Sequence, residues 1–540
     1  MIEKSYISKS QQKHRYHVKN TGIMSNQFGG SSLNQRTIAG HPVGLFVLFF
    51  TEMWERFSYY GMRAILVLFL TSSLLDEGWA WEREDALTLY GWYTGLVYLT
   101  PILGGFFADK FLGYRNATIL GAFIMTLGHA SMALETFSTT FFFIGLSCLV
   151  IGNGFFKPNI SSIVGQLYKD GDILKDGGYT IFYMGINAGA FLGILLCGYI
   201  GEKVGWHLGF GLAGIFMFFG MLQFWFAQKI FGNIGLSPKA LAQTQIETEE
   251  ETEEVPKKTE NDRLFVVVIF SLFTIFFWWA FEQAGGSMTI FANDYTDRNL
   301  VGTASKTFNI VNSIITLVPM VILTYVLYEL FRNMLGKYIL SNFFLGLSFA
   351  IIWGIVIWML NREFASDVAE IPASWFSVLN SLFIVIFAPI FSKIWASSLN
   401  PSGPVKFAIG LMLLGFGFAF LSYGASGIPL GASTASVSIA WLILAYLFHT
   451  LGELCISPVG LSYVSKLAPK RLVGLMFGFW FVCSAIANFL GGWTGSFIDS
   501  ISESYGLSNF FLIFTAIPVL AGLLMLILNK TLIRRMHGIT

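Results

Sequence analysis

Charge is what this 540-residue chain has least of. Asp, Glu, Lys and Arg make up 12% of it, about half the ~25% usual in a soluble domain. With 54% hydrophobic residues, that scarcity excludes an ordinary soluble enzyme and a disordered chain. The net charge of +1 leaves no basic excess to hold phosphates, so nucleic acid is not a partner. Cysteine is scarce as well. Cys148, Cys197, Cys455 and Cys483 all fall within apolar runs, where core packing is their role; they form neither a disulfide framework nor a metal pattern. The histidines are few and scattered. His449 and Glu453 stand one turn apart, but no second pair accompanies them to complete a metal site; His449 is better placed to tune Glu453. No histidine has the His-x-x-x-Asp spacing of a membrane acyltransferase. No GxxxxGK[ST] phosphate loop is present, which argues against an ATP-driven pump. No catalytic residue, metal ligand or bound cofactor is therefore expected, and the chain does not read as an enzyme. Residues 1–41 contain no apolar core of a cleaved signal peptide.

What the chain does have is long apolar runs. Fourteen can be delimited, from 42–71 at the start to 508–530 at the end, each near the ~20 residues that span ~30 Å of hydrocarbon at ~1.5 Å per residue. An outer-membrane barrel would show ~10-residue alternating strands instead. The fold class is therefore an all-α polytopic membrane protein, expected to have fourteen transmembrane helices. Residues 1–41 carry Lys4, Lys9, Lys13, Arg15, Lys19 and Arg36 against Glu3. With that segment inside and strict alternation, 25 of the 33 Lys and Arg fall on the cytoplasmic side, 5 in outer loops (Arg83, Lys203, Arg298, Lys306, Arg362) and 3 within spans. This bias places both termini in the cytoplasm. Residues 236–263 break the rhythm with Glu247, Glu249, Glu250, Glu251, Glu253, Glu254, Glu260 and Asp262, a run that solvent must surround. The organisation is then a cytoplasmic N-terminal segment (1–41), a six-helix bundle (42–231) and an acidic cytoplasmic linker (232–263). A second six-helix bundle (264–530), with an extra hairpin inserted at about 308–360, and a cytoplasmic tail (531–540) follow. Two halves joined by a tether suggest a transporter with its site between them.

Seven charges lie inside the spans: Glu52, Glu55, Arg56, Arg63, Lys157, Glu282 and Glu453. Each costs about 2.5–3.5 kcal/mol at a bilayer centre. Unpaired and dry, the set would cost on the order of 20 kcal/mol, more than a typical net stability of ~5–15 kcal/mol. They must pair or line water. Structural ion pairs between helices would satisfy some of them, yet four acids and three bases exceed what packing needs. In the first span, Glu52, Glu55, Arg56, Tyr59 and Arg63 fall within an arc of about 100°. A carboxylate beside a guanidinium takes a proton when that cation is drawn to another anion, which is the chemistry of a proton-coupled carrier. Lys157 follows Gly152-Asn153-Gly154-Phe155-Phe156 and precedes Pro158-Asn159; taken alone, this stretch also fits a lysine snorkelling to the cytoplasmic interface.

Five motifs, in order along the chain, resemble a known family. Glu52-Met-Trp-Glu55-Arg56-Phe-Ser-Tyr59-Tyr60-Gly61 resembles the ExxERFxYYG signature of the proton-dependent oligopeptide transporters, within the major facilitator superfamily. Gly104-Gly105-Phe-Phe-Ala108-Asp109-Lys-Phe-Leu-Gly113-Tyr-Arg115 is similar to the superfamily's loop between its second and third helices. Phe155-Phe156-Lys157-Pro158-Asn159, Phe182-Tyr183-Met-Gly-Ile-Asn187-Ala-Gly189, and Gly452-Glu453-Leu-Cys-Ile-Ser457-Pro458 with Gly478-Phe479-Trp480-Phe481 are similar to further family signatures.

The resemblance implies a major facilitator fold and proton-coupled import of di- and tripeptides by alternating access, with the proton as coupling ion. It implies that Glu52, Glu55, Arg56, Lys157 and Glu282 serve proton coupling. Arg63 and Lys157 would hold the peptide carboxylate and Glu453 its amino group. Asn187 and Asn380 would bind the peptide backbone. Tyr59, Tyr60, Tyr98, Trp480 and Ser484 would line side-chain pockets, Ser457 and Glu282 would also bind substrate, and Glu282 would serve an outer gate as well. Elementary electrostatics agrees: a zwitterionic peptide needs cations at one end of a cavity and an anion at the other. Two departures stand out. The stretch Phe376-Ser-Val-Leu-Asn380-Ser381-Leu-Phe383 replaces the family's FQSLNPxF. The extra hairpin lies later in the chain than is common in the family's bacterial members, which makes a lateral structural role its simplest reading and Asn312 no substrate ligand. Two alternatives stand beside peptide symport: a same-family carrier of another small anion or a peptide-like drug, and a membrane receptor or integral enzyme.

Overall fold

Long helices follow from the apolar runs, because a backbone in lipid must satisfy its polar groups internally. The computed structural model describes residues 28–169, 172–242 and 256–539. The expected basic segment before Phe28 and the acids Glu247–Glu254 lie outside the described residues. The long helices are α1 (Val43–Thr71), α2 (Arg83–Phe107), α3 (Tyr114–Met132), α4 (Thr139–Gln166), α5 (Leu174–Lys203), α6 (Trp206–Ala227) and α7 (Lys257–Phe281). They continue with α8 (Thr303–Met334), α9 (Ile339–Phe364), α10 (Val378–Trp395), α11 (Gly403–Gly424), α12 (Ala440–Leu467), α13 (Val473–Gly495) and α14 (Leu507–Arg535).

Among the described residues, 12 helices are long and apolar enough to cross a membrane, namely α2 and α4 to α14. The expectation of fourteen is thus met in twelve cases on apolarity. The other two have physical reasons. Every 18-residue stretch of α1 carries at least three of Glu52, Glu55, Arg56 and Arg63. The 19-residue α3 opens on Tyr114-Arg115-Asn116. α7 begins about two turns before the apolar run that marked its start, because Lys257–Arg263 continue the helix beyond the hydrocarbon-length stretch.

α1 is enclosed on nearly all sides, most of its charged face included, and is buried from Val43 to Leu70 with few gaps. It packs on α5 and α6; α3 packs on α4 and α6, and α2 on α4. Later in the chain, α11 packs on α14 and α12, α7 on α13 and α14, and α10 on α12. The first-half and second-half helices meet where α2 lies along α13 and α5 along α10. Two glycine contacts make such approaches feasible. A Cβ at Gly492 would overlap the Gly91 backbone where α13 crosses α2, and one at Gly104 would overlap the Gly154 carbonyl where α2 crosses α4.

The inserted hairpin is α8–α9. Its ends are closed by a short ribbon, with β3 (Asn299–Val301) antiparallel to β4 (Val368–Glu370); β1 (Thr37–Ile38) and β2 (His41–Pro42) form a similar pair ahead of α1. Although the chain reaches it from the second half, α9 packs on α6. Phe349 sits 5.6 Å from the Phe50 ring and 5.7 Å from Trp54 of α1. Ser341 Oγ donates to the Gln223 carbonyl of α6 at 2.9 Å.

Candidate functional site

The site grows out of α1. Glu52, Glu55 and Arg56 are 2%, 0% and 4% exposed. Arg56 Nε donates to Glu52 Oε1 at 2.8 Å and lies 2.8 Å from Glu55 Oε2. Asn153 of α4 donates from Nδ2 to Glu55 Oε1 at 3.1 Å. One guanidinium thus serves two carboxylates in a dry environment, and the trio carries a net negative charge when both acids are ionised. An uncompensated buried charge costs several kcal/mol. Lys157 is near this trio, but among the described residues it makes no ion pair; its Nζ sits 4.1 Å from the centroid of the Tyr98 ring, a cation–π contact.

Two turns on, Arg63 reaches across to the second half. Its Nε donates to Tyr90 OH at 2.8 Å, and Nη2 pairs with Glu282. Glu282 directly follows α7. The pair therefore ties α1 to the end of α7. Further ties lie toward the end of the bundle that bears the α1–α2 connection. Arg83, at the start of α2, pairs with Asp294 at 2.7 Å and with Asp499 at 2.6 Å. Glu202 of α5 accepts from the backbone N–H groups of Ala373 and Ser374 at 2.7 and 3.0 Å, and Lys203 pairs with Glu370. These contacts seal that end between the two halves.

Behind the seal lies a cavity of about 330 Å³, within the size range of small-molecule sites. From the first half, Tyr60, Arg63, Tyr98, Lys157 and Asn187 line it; from the second, Glu282, Asn380, Glu453, Ser457, Trp480 and Ser484. These eleven positions are among those singled out in the sequence. Glu453 accepts from Asn380 Nδ2 at 2.9 Å, and Asn187 Nδ2 is engaged with the Tyr183 carbonyl at 3.0 Å. The other four candidates stand back from the wall. Glu52, Glu55 and Arg56 form the buried trio. Tyr59 is 3% exposed, packs against Tyr60 with ring centroids 5.0 Å apart, and its hydroxyl has no hydrogen-bond partner among the described residues.

The cavity also exposes residues that the sequence reading did not select. Trp278 and Phe281 form an aromatic wall with Tyr183, and Tyr446 and Asn488 add polar groups. Tyr183 lay inside a motif already singled out, so its spacing was a usable signal; Trp278 stands one turn ahead of Glu282 and Phe281 directly before it. Tyr446 stands two turns ahead of Glu453, on the same helix face. His449 also borders the cavity, but its ring nestles 4.4 Å from Phe418 and its nitrogens find no hydrogen-bond partner in the described structure. No residue of α8 or α9, Asn312 included, lines the cavity.

Comparison with known proteins bears on this architecture. The POT family model matches residues 115–246 and 352–513. The peptide transporter YePEPT of Yersinia enterocolitica is 33% identical, over 86% of this chain and 89% of that protein. A di-/tripeptide transporter of Lactococcus lactis subsp. cremoris is 32% identical, over 94% of this chain and 98% of that protein. A solved structure of a mutant peptide transporter POT in complex with alafosfalin superposes with a TM-score of 0.71 at 28% identity, covering 94% of this chain and 98% of that one.

Proposed function

The chain belongs to the POT family of transporters, and on that premise we propose that it is a proton-coupled symporter importing di- and tripeptides by alternating access. The observation that carries the reading is the pairing of unlike charges across one cavity. Lys157 offers an ammonium without an ion-pair partner on the first-half wall, and Glu453 offers a carboxylate on the second-half wall. A zwitterionic peptide fits between them carboxylate to Lys157 and amine to Glu453, with its backbone near Asn187 and Asn380. Tyr60, Tyr98, Trp480, Ser457 and Ser484 border its side chains. Aromatic walls take varied side chains through contact area, which supports a broad substrate range that includes peptide-like drugs.

The proton enters through the trio on α1. With Glu52 and Glu55 both ionised, Arg56 neutralises one of them; a proton on either carboxylate removes the surplus charge. When the peptide carboxylate draws Lys157 toward itself, the trio loses a nearby cation and its demand for a proton rises. Substrate and proton then favour the same state, as symport requires. In this reading Arg63–Glu282 and the Arg83 ties hold the α1–α2 end together as the outer gate. In this reading all fourteen long helices cross a bacterial inner membrane, as two six-helix bundles plus the α8–α9 hairpin. α1 is held inside by its neighbours, and both termini lie in the cytoplasm.

The deciding experiment is uptake into proteoliposomes of di-, tri- and tetrapeptides, with and without an imposed inward proton gradient. Concentrative uptake of di- and tripeptides only with the gradient is the expected result. Gradient-driven uptake of other small anions alone would replace peptide by anion transport. No uptake of either would refute symport.

A further inference from the structure

Among the described residues, the Glu55 carboxylate has one hydrogen-bonding partner, and that partner is an amide. Asn153 Nδ2 donates to Glu55 Oε1 at 3.1 Å, while Oε2 faces Arg56 Nε at 2.8 Å. Both Asn153 and Glu55 are at most 1% exposed. The two oxygens of one carboxylate are therefore held by different chemistry: Oε2 by a permanent cation, Oε1 by a neutral group. Among the described residues, Asn153 Oδ1 is buried without a hydrogen-bond partner, an arrangement that is costly to keep.

A carboxamide carries a donor and an acceptor on the same planar end. Turned half a revolution about its last bond, Asn153 would present Oδ1 to Glu55 where Nδ2 now points. In the first orientation it donates to a carboxylate; in the second it accepts from a carboxylic acid O–H. The amide can therefore serve either protonation state of Glu55, donating to the anion or accepting from the acid.

We propose that Asn153 is a positioning residue of the coupling site, holding Glu55 Oε1 as the oxygen that gains and loses the proton. The inference rests on the coupling role proposed above for Glu55. In the step itself, hydronium from the water-accessible side breaks one O–H bond, Glu55 Oε1 forms one, and water departs. Glu55 passes from an anion to a neutral acid, and release to water on the other side reverses the exchange. The charged and titratable groups that face Glu55 are Glu52 and Arg56 of α1, Lys157 of α4 and Tyr93 of α2.

A hydrogen bond to a charged oxygen is roughly twice as strong as one to a neutral oxygen. Removing the amide therefore weakens the ionised form more, and Glu55 keeps its proton to higher pH. In proteoliposomes supplied with alanyl-alanine, Asn153→Leu should raise the pH of half-maximal gradient-driven uptake by about one unit. Asn153→Asp would place a second carboxyl beside the first, and the profile should spread into two steps as the pair titrates together. In a Glu55→Gln background, Asn153→Leu should change nothing further. Counterflow of labelled dipeptide reports that each variant is folded, and Asn153→Asp carries the test if Asn153→Leu shows no counterflow. An unshifted profile in a counterflow-competent variant overturns the role of Asn153. Gradient-driven uptake that survives Glu55→Gln overturns the coupling role of Glu55 instead.

Discussion

Replacing Glu453 by Gln isolates the charge that is proposed to meet the peptide amine. Glu453 is 9% exposed and accepts from Asn380 Nδ2 at 2.9 Å. A glutamine there is nearly the same shape and keeps an oxygen for that hydrogen bond, so the wall of α12 need not rearrange. What disappears is the anion. A hydrogen bond to a charged group contributes about 1.5–3 kcal/mol and a neutral one about 0.5–1.5 kcal/mol, so the loss is about 1–1.5 kcal/mol. That corresponds to about a tenfold weaker apparent affinity for a free dipeptide. An N-acetylated dipeptide has no ammonium to lose and should change less than about twofold. The measurement is competition by each peptide in counterflow, without a proton gradient, which separates binding from coupling. Equal losses for the free and the acetylated peptide would refute the amine contact, and so would an unchanged affinity for both.

Glu52→Gln, Glu55→Gln and Lys157→Ala should each abolish gradient-driven uptake while some counterflow persists, weakened in Lys157→Ala by the lost carboxylate contact; concentrative uptake retained in all three would sink the coupling assignment. Arg83→Gln removes two partly exposed ion pairs at the sealed end, with side-chain exposures of 17% for Arg83, 23% for Asp294 and 41% for Asp499. At up to about 1 kcal/mol each, their loss should expose a cysteine introduced at Ser381 to an impermeant maleimide from outside about tenfold more often, and an unchanged labelling rate would argue against an outer gate. Phe349→Ala empties the space between Phe50 and Trp54 and should lower stability by about 3–5 kcal/mol, seen as a fall in Tm; a Tm equal to the parent's would mean that α9 is not packed as described.

How much was legible depended on whether a residue's signal was local. The intramembrane charges stood out because lipid excludes them one at a time, and helical periodicity alone placed Glu52, Glu55, Arg56, Tyr59 and Arg63 on one face. Periodicity could not say how deep that face lies. Tyr59 points to the same side as Arg63, yet it is enclosed by Tyr60 and its neighbours and leaves the cavity wall to them. The α8–α9 hairpin was visible as two apolar runs, but not its seat, because the partners of Phe349 lie some three hundred residues earlier. Arg83 looked like an isolated cation in an acidic outer loop; its partners Asp294 and Asp499 come from two distant connections. Asn153 was read only as part of a glycine-flanked stretch, since an amide carries no signal in hydropathy. α1 shows the reverse: its charge lowers its apolarity below that of a membrane span, although it is the most enclosed helix of its half.

The hairpin has a consequence for how the chain can be divided. By connectivity α8 and α9 belong after α7; by packing, α9 belongs with α1 and α6. Severing the chain between α6 and α7 would therefore not yield two self-sufficient pieces. The earlier piece would present a bare groove lined by Phe50, Trp54 and Gln223, and the later one would carry an apolar arm with nothing to lie against. Reassembly of two separately produced fragments would have to begin with that arm finding its groove, before the cavity could form.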